Sequence, residues 1–137
     1  MRSRALVAAI FLALLGARFA AAAARPAPEQ EKIDYLLAQV RGSDAVFIRN
    51  GTEHDGAAAA AHLKSKLWWA GKRVQTARDF ILGVATHSEQ TGKPYEIRPR
   101  NAPAQPLRDW LLARLAEREK ASASPSQKSA ASAPRRP

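Results

Sequence analysis

Phe47-Ile48-Arg49-Asn50-Gly51-Thr52-Glu53-His54 decides how the rest of the chain folds. It begins as a strand, with Val46 and Ile48 on one side and Phe47 and Arg49 on the other. Asn50-Gly51 then breaks it. Both residues tolerate positive φ, and the pair is the strongest short-range hairpin signal. Thr52 to His54 pair back as the stub of a second strand. Asp55 follows as an N-cap, worth about 1 kcal/mol to a helix start. One turn thus links a strand to a helix and gathers an Arg, a Glu and a His.

That second helix runs from about Gly56 to Ala70 and ends at Gly71. Ala57 to Ala61 have high helix propensity, and Ala59, Ala60, Leu63, Leu67 and Ala70 form its apolar face. Upstream, a first helix spans about Glu29 to Arg41, with Ile33, Leu36, Leu37 and Val40 at the i, i+3, i+4, i+7 spacing of one buried stripe. Gly42 stops it. Downstream, Thr76-Ala77-Arg78-Asp79 reads as a capping box with Asp in the acidic position. It opens a third helix to about Thr86, with Ala77, Phe80, Ile81 and Val84 inward. A second main strand covers Tyr95 to Arg98, with Tyr95 and Ile97 on one face. Pro99 to Pro106 is a Pro-rich connection. A fourth helix spans about Leu107 to Lys120, with Pro106 near its first turn and Leu107, Trp110, Leu111 and Leu115 inward.

The order is α-β-α-α-β-α. Two helices separate the main strands, so the second starts near where the first stopped and the pair is antiparallel. A sheet this small needs helices to cover it. The expected architecture is a small α+β domain over residues 29–120, with four helices packed on a minimal antiparallel sheet.

The ends read differently. Arg2 and Arg4 precede a 13-residue apolar run, Ala5 to Ala17, and small residues follow at Ala20 to Ala24. That is the pattern of a secretory signal peptide over residues 1–24, cleaved near Ala22 to Ala24. The run falls short of the ~20 apolar residues of a spanning helix. The expected location is therefore periplasmic or secreted, with no transmembrane helix after cleavage. Residues 25–28 are a lead-in. Residues 121–137 are Ala, Ser, Pro and base, and cannot bury enough apolar surface to order themselves.

The formal charge of +10 comes mostly from those ends. Residues 29–119 carry 14 Lys and Arg against 12 Asp and Glu, a net +2. Such a balance is no nucleic-acid footprint. There is no Cys, so disulfides, thiol nucleophiles and thiolate metal sites are all excluded.

Several residues resemble those of the YfeK-like family: Phe47-Ile48-Arg49-Asn50-Gly51, His54, His62-Leu63, Lys66, Thr76-Ala77, Phe80-Ile81 and Gly92-Lys93-Pro94-Tyr95-x-Ile97. The match runs from about Ile33 to Ile97 and more weakly beyond. The resemblance implies a small exported bacterial protein with a domain of unknown function. The chain departs from it at Ala57 and Ala58, where members often carry acids, and at Thr86 to Gln90, where members carry a Ser-rich run. No catalytic role is carried to either segment.

Four constellations bear on chemistry. Arg49, with the Asn50-Gly51 backbone and the start of the second helix, offers donors for a carboxylate or phosphate. The plainer reading is that Arg49 pairs with Glu53 or with a helix end and that Asn50-Gly51 is just a hairpin turn. His54 and His62 fall near one another and with Glu53 form a conceivable metal set, although the spacing fits no standard zinc pattern and Lys66 is a cation at i+4 from His62. Either His is also a conceivable general base in a hydrolase, but no Ser lies in a nucleophile motif. Leu67, Trp68 and Trp69 with Lys64, Lys66, Lys72 and Arg73 make a basic aromatic patch, of a kind that can touch a membrane surface or an anionic partner. The expected packing there is one Trp in the core and one at the edge.

The favoured reading is a non-catalytic binding or envelope-accessory module without a cofactor. Its contact surface comprises Arg49, Asn50, Gly51, Glu53, His54, His62, Lys66 and Tyr95. Its ligand is an anionic small molecule or an envelope component, and not nucleic acid.

Overall fold

A computed structural model describes residues 24–124. The expected leader, 1–24, and basic tail, 121–137, lie outside the described residues except at their inner ends. The architecture is the α+β arrangement expected from the sequence, four helices against a small antiparallel sheet. Its elements are α1 (Ala27–Arg41), β1 (Val46–Arg49), β2 (Thr52–His54), α2 (Gly56–Ala70), α3 (Ala77–Gly83), β3 (Glu96–Arg98), β4 (Gln105–Pro106) and α4 (Leu107–Ala123).

The sheet order is β2-β1-β3-β4, antiparallel throughout. Asn50 and Gly51 take φ of 52° and 78°, so both central residues of the hairpin turn are left-handed, as an Asn-Gly pair allows. The turn sets Phe47 opposite His54 and Ile48 opposite Glu53. On the other side of β1, Phe47 faces Ile97. Phe47, Ile97 and Tyr95 are buried, so this face of the sheet meets the helices. By alternation, Arg49 and His54 share the inner face, while Ile48, Glu53 and Arg98 stand on the outer one.

β4 is an addition to the expected fold. Ile97 pairs with Gln105 and Glu96 with Pro106, inside what the sequence suggests is a mere connection. Two residues ending in Pro carry no alternating pattern to read. Pro106 also lacks the N–H a further strand would need, which blunts the sheet edge.

α2 rests on β1, and α4 on β3 and β4, while α1 touches α2, α3 and α4. Ile33, Leu36 and Val40 of α1 meet Leu63, Phe80, Ile81, Ile97 and Leu111 in one core. Gly56 makes the α1–α2 approach possible. A Cβ built on it would lie 2.3 Å from the Val40 carbonyl oxygen, closer than any real contact.

Helix ends follow their chemistry. Asp55 caps α2 by accepting from the Ala58 N–H at 2.8 Å. Thr76 and Asp79 form the full capping box of α3. α3 stops at Gly83, three residues short of the expected end. The Thr86 hydroxyl lies 2.8 and 3.0 Å from the Ile81 and Leu82 carbonyls, where continued helix would have placed backbone N–H groups. α1 starts two residues early, with Pro in its first turn.

The Trp pair corrects the expected packing. Trp68 and Trp69 are 73% and 74% exposed, so neither enters the core. Leu63 and Leu67 define the buried stripe of α2, and successive helical residues rotate by about 100°. Positions 68 and 69 both turn off that stripe.

Candidate functional site

α2, the β1–β2 hairpin and the start of β3 meet around His62. α2 carries His62 and Lys66 one turn apart on the face toward Tyr95. The Lys66 ammonium donates to the Tyr95 hydroxyl at 3.1 Å, to the Val84 carbonyl at 2.8 Å and to the His87 carbonyl at 3.0 Å. Three acceptors match its three protons. Lys66 thereby fastens α2 to the end of α3 and to the loop beyond, and lies 4.9 Å from the Tyr95 ring centroid.

The Tyr95 oxygen also lies 3.2 Å from His62 Nε2. Lys66 can only donate to that oxygen, so the tyrosine proton is free to go to His62. In that arrangement His62 Nε2 accepts and the neutral ring carries its proton on Nδ1. The electrostatics agree. Burial lowers the His62 pKa below its ordinary 6.5, and the charges of Arg49, Lys66 and His54 push it in the same direction.

His54 approaches from β2. Its Nε2 is buried and has no hydrogen-bond partner, a costly state for a polar atom unless something meets it. Arg49 is half-buried and, among the described residues, its guanidinium makes no ion pair or side-chain hydrogen bond. Arg49, His54, His62, Tyr95 and Glu96 line one cavity of about 30 Å³, with Leu63 and Leu107 as apolar wall. A water needs roughly 10–15 Å³ of such space. The space suits one or two waters, or a group with two small oxygens.

Asn50 and Gly51 are the hinge of the hairpin rather than part of this lining. Asn50 is latched from outside. Its Nδ2 donates to Ser88 Oγ at 3.3 Å, and its Oδ1 accepts from the Thr91 hydroxyl at 2.5 Å. Glu53 stands apart. It faces outward and pairs with Arg98 at 2.5 Å, so the plainer expectation of an Arg49–Glu53 pair is not what forms. Of the eight residues singled out from sequence, Arg49, His54, His62, Lys66 and Tyr95 converge.

Sequence reasoning missed Ser88, Thr91 and Arg98 as supports. Ser88 is the buried polar residue of its loop, and only its place in a run preceding Gly92-Lys93-Pro94 hinted at a structural duty. Among the described residues, no three His, Asp or Glu side chains come together as a metal-ion set. Neither His ring is hydrogen-bonded to a serine or threonine hydroxyl there, so no nucleophile–base pair of the usual kind is formed.

The resemblance noted from the motifs is borne out. Residues 27–119 match the model of a family of unknown function, DUF5329. A relative from Salmonella typhimurium (strain LT2), described as "Uncharacterized protein YfeK", is 41% identical over 70 residues, covering 50% of this chain and 58% of the relative. The chain thus spans under two thirds of that relative's length. No solved structure matches the chain.

Proposed function

The chain belongs to the DUF5329 family, whose function is unknown, and from the chemistry of its residues we propose an exported binding module that takes the carboxylate end of an envelope component. The observation that carries this reading is the meeting of two unpartnered polar groups at one small cavity. Arg49 has no partner among the described residues, and His54 Nε2 is buried without one. A guanidinium fork and a carboxylate match in geometry as well as charge. Size narrows the choice. A space of about 30 Å³ admits two carboxylate oxygens more readily than a tetrahedral phosphate.

The His62–Tyr95–Lys66 chain would hold the inner wall rigid. Its neutral imidazole keeps a second full positive charge out of the cavity, so the site does not repel its own guanidinium. With His54 Nε2 as donor, an arriving carboxylate would meet the guanidinium fork and an imidazole N–H. Export rests on the basic, apolar and small-residue pattern of residues 1–24.

Calorimetry tests the proposal, with acetate, succinate and inorganic phosphate titrated into the wild-type chain and into Arg49→Gln. The expected result is saturable heat with the carboxylates, weaker heat with phosphate, and loss of the carboxylate signal in the variant. Identical titrations for the two proteins would reject the site.

A further inference from the structure

The geometry points to a second surface, at the far end of α2, that docks on an anionic phospholipid bilayer. Trp68 and Trp69 sit there as an edge-to-face pair with ring centroids 4.8 Å apart. Both are nearly three-quarters exposed, and neither indole N–H has a hydrogen-bond acceptor among the described residues. The chain reverses immediately after them. Gly71 takes φ of 52°, and the short turn Gly71–Arg73 carries Lys72 and Arg73 to the same corner.

Charge complementarity selects the occupant. The groove beside Trp68 is lined by Arg25, Lys64, Leu67, Lys72 and Gln75 with no acid, and encloses about 480 Å³. Among the described residues, Lys64, Lys72 and Arg73 form no ion pair. The groove beside Trp69, about 300 Å³, adds Lys66 and Arg73, and its acids are Asp79 and Glu89. The Asp79 carboxylate is already held by the backbone N–H groups of Gln75 and Thr76. Exposed indoles flanked by unpaired cations suit the headgroup layer. There the rings sink to the acyl boundary, the N–H groups find phosphate or ester oxygens, and the ammonium groups meet lipid phosphates. Among the described residues no helix is long and apolar enough to cross a membrane, so the contact is a surface one.

The patch borders the carboxylate site at Lys66, whose three protons are already donated, but shares neither Arg49 nor His54 with it, so either proposal can fail alone. The test uses the full chain, Trp68→Ser/Trp69→Ser and Lys64→Glu/Lys72→Glu. Each is mixed with vesicles of phosphatidylcholine and phosphatidylglycerol, with phosphatidylcholine vesicles alone, and with insoluble cell-wall glycan. Any contribution of the leader and basic tail is common to all three proteins. Exposed indoles and unpaired lysines are removable without unfolding, which thermal melts verify. Each double variant is expected to partition onto the anionic vesicles on the order of tenfold more weakly than the wild type. Brominated acyl chains should quench wild-type tryptophan emission and spare that of Trp68→Ser/Trp69→Ser. Equal partitioning of wild type and variants overturns the inference. So does equal binding to the uncharged vesicles, or tryptophan-dependent retention on glycan without vesicle binding.

Discussion

Lys66→Met removes an ammonium and keeps a stem of similar length, so the variant isolates what the three donated bonds contribute. Two of them, to the Val84 carbonyl and the Tyr95 hydroxyl, are partly buried; the third, to the His87 carbonyl, is exposed. Water can replace the exposed bond at little cost. The other two are charge-assisted, each worth about 1.5–3 kcal/mol, and their acceptors would be stranded. Desolvating the ammonium in the native protein offsets part of this, and the methionine recovers some apolar burial. The balance is a loss of about 3 kcal/mol. For a domain of about 100 residues that lowers the melting temperature by roughly 10–20 °C. Urea denaturation should show a lower midpoint with an unchanged slope. One of the charges that depress His62 also goes, so the pKa of that ring should climb back toward its ordinary value in the same variant. A stability loss below about 1 kcal/mol, with His62 titrating as in the wild type, would show that Lys66 is a solvated lysine and that the hydrogen-bonded wall is incidental.

Other consequences are as direct. Gly56→Ala forces a methyl against the Val40 carbonyl oxygen and should cost about 2–3 kcal/mol by displacing α1 from α2, measurable by urea denaturation; a neutral substitution would mean that the helices are free to separate. Asn50→Ala places a Cβ-bearing residue without an Asn side chain at φ 52° and cuts the latch to Ser88 and Thr91, for a loss of about 1–2 kcal/mol. Asn50→Gly should recover the turn but not the latch, so its melting temperature should fall between the two. Stability should also decline with acid. The unfolded chain takes a proton at His62 before the folded one does, because the folded pKa is lowered from 6.5. The His62 contribution is complete above that value and fades as pH falls below it. Glu29, held by Lys32 and the Ala77 N–H, and Asp79, held by the Gln75 and Thr76 N–H groups, also have lowered pKa values. Their contributions are lost at still lower pH as they protonate. His62→Gln should flatten the upper part of a melting-temperature profile against pH, and an unchanged profile would refute the assignment.

What could be read from sequence was local. Asn50-Gly51 announces its turn because few residue pairs accept two positive φ values, and Thr76 to Asp79 announce a helix start through a reciprocal bond spanning three residues. The stripes of Ile33, Leu36 and Val40, and of Phe80 and Ile81, specify which faces meet. What stayed hidden joins distant positions. Nothing near Gly56 says that the end of α1 presses on it. Nothing near Lys66 says that two carbonyls from beyond α3 turn toward it. β4 exists only because β3 offers an edge, and its Gln105-Pro106 pair carries no strand pattern. The candidate site was half legible: Arg49, His54, His62, Lys66 and Tyr95 do converge. Glu53 was misread as a neighbour of Arg49 because adjacency in a turn says less than the alternation that puts it on the opposite face. The two tryptophans were misjudged because adjacency alone placed one of them inward, although the legible Leu63–Leu67 stripe turns both positions away from the core.

The central claim is that Arg49 and His54 hold donors waiting for a carboxylate. The most direct measurement is the ring-nitrogen spectrum of His54 in the ¹⁵N-labelled protein at neutral pH, recorded as succinate is added, with inorganic phosphate as the control. The account predicts a saturable shift of His54 Nε2 as it begins to donate, a matching shift of the Arg49 Nε signal, and little response from His62, whose Nε2 is already engaged by Tyr95. A His54 ring that ignores succinate, while Arg49 keeps the spectrum of a solvated guanidinium, would contradict it.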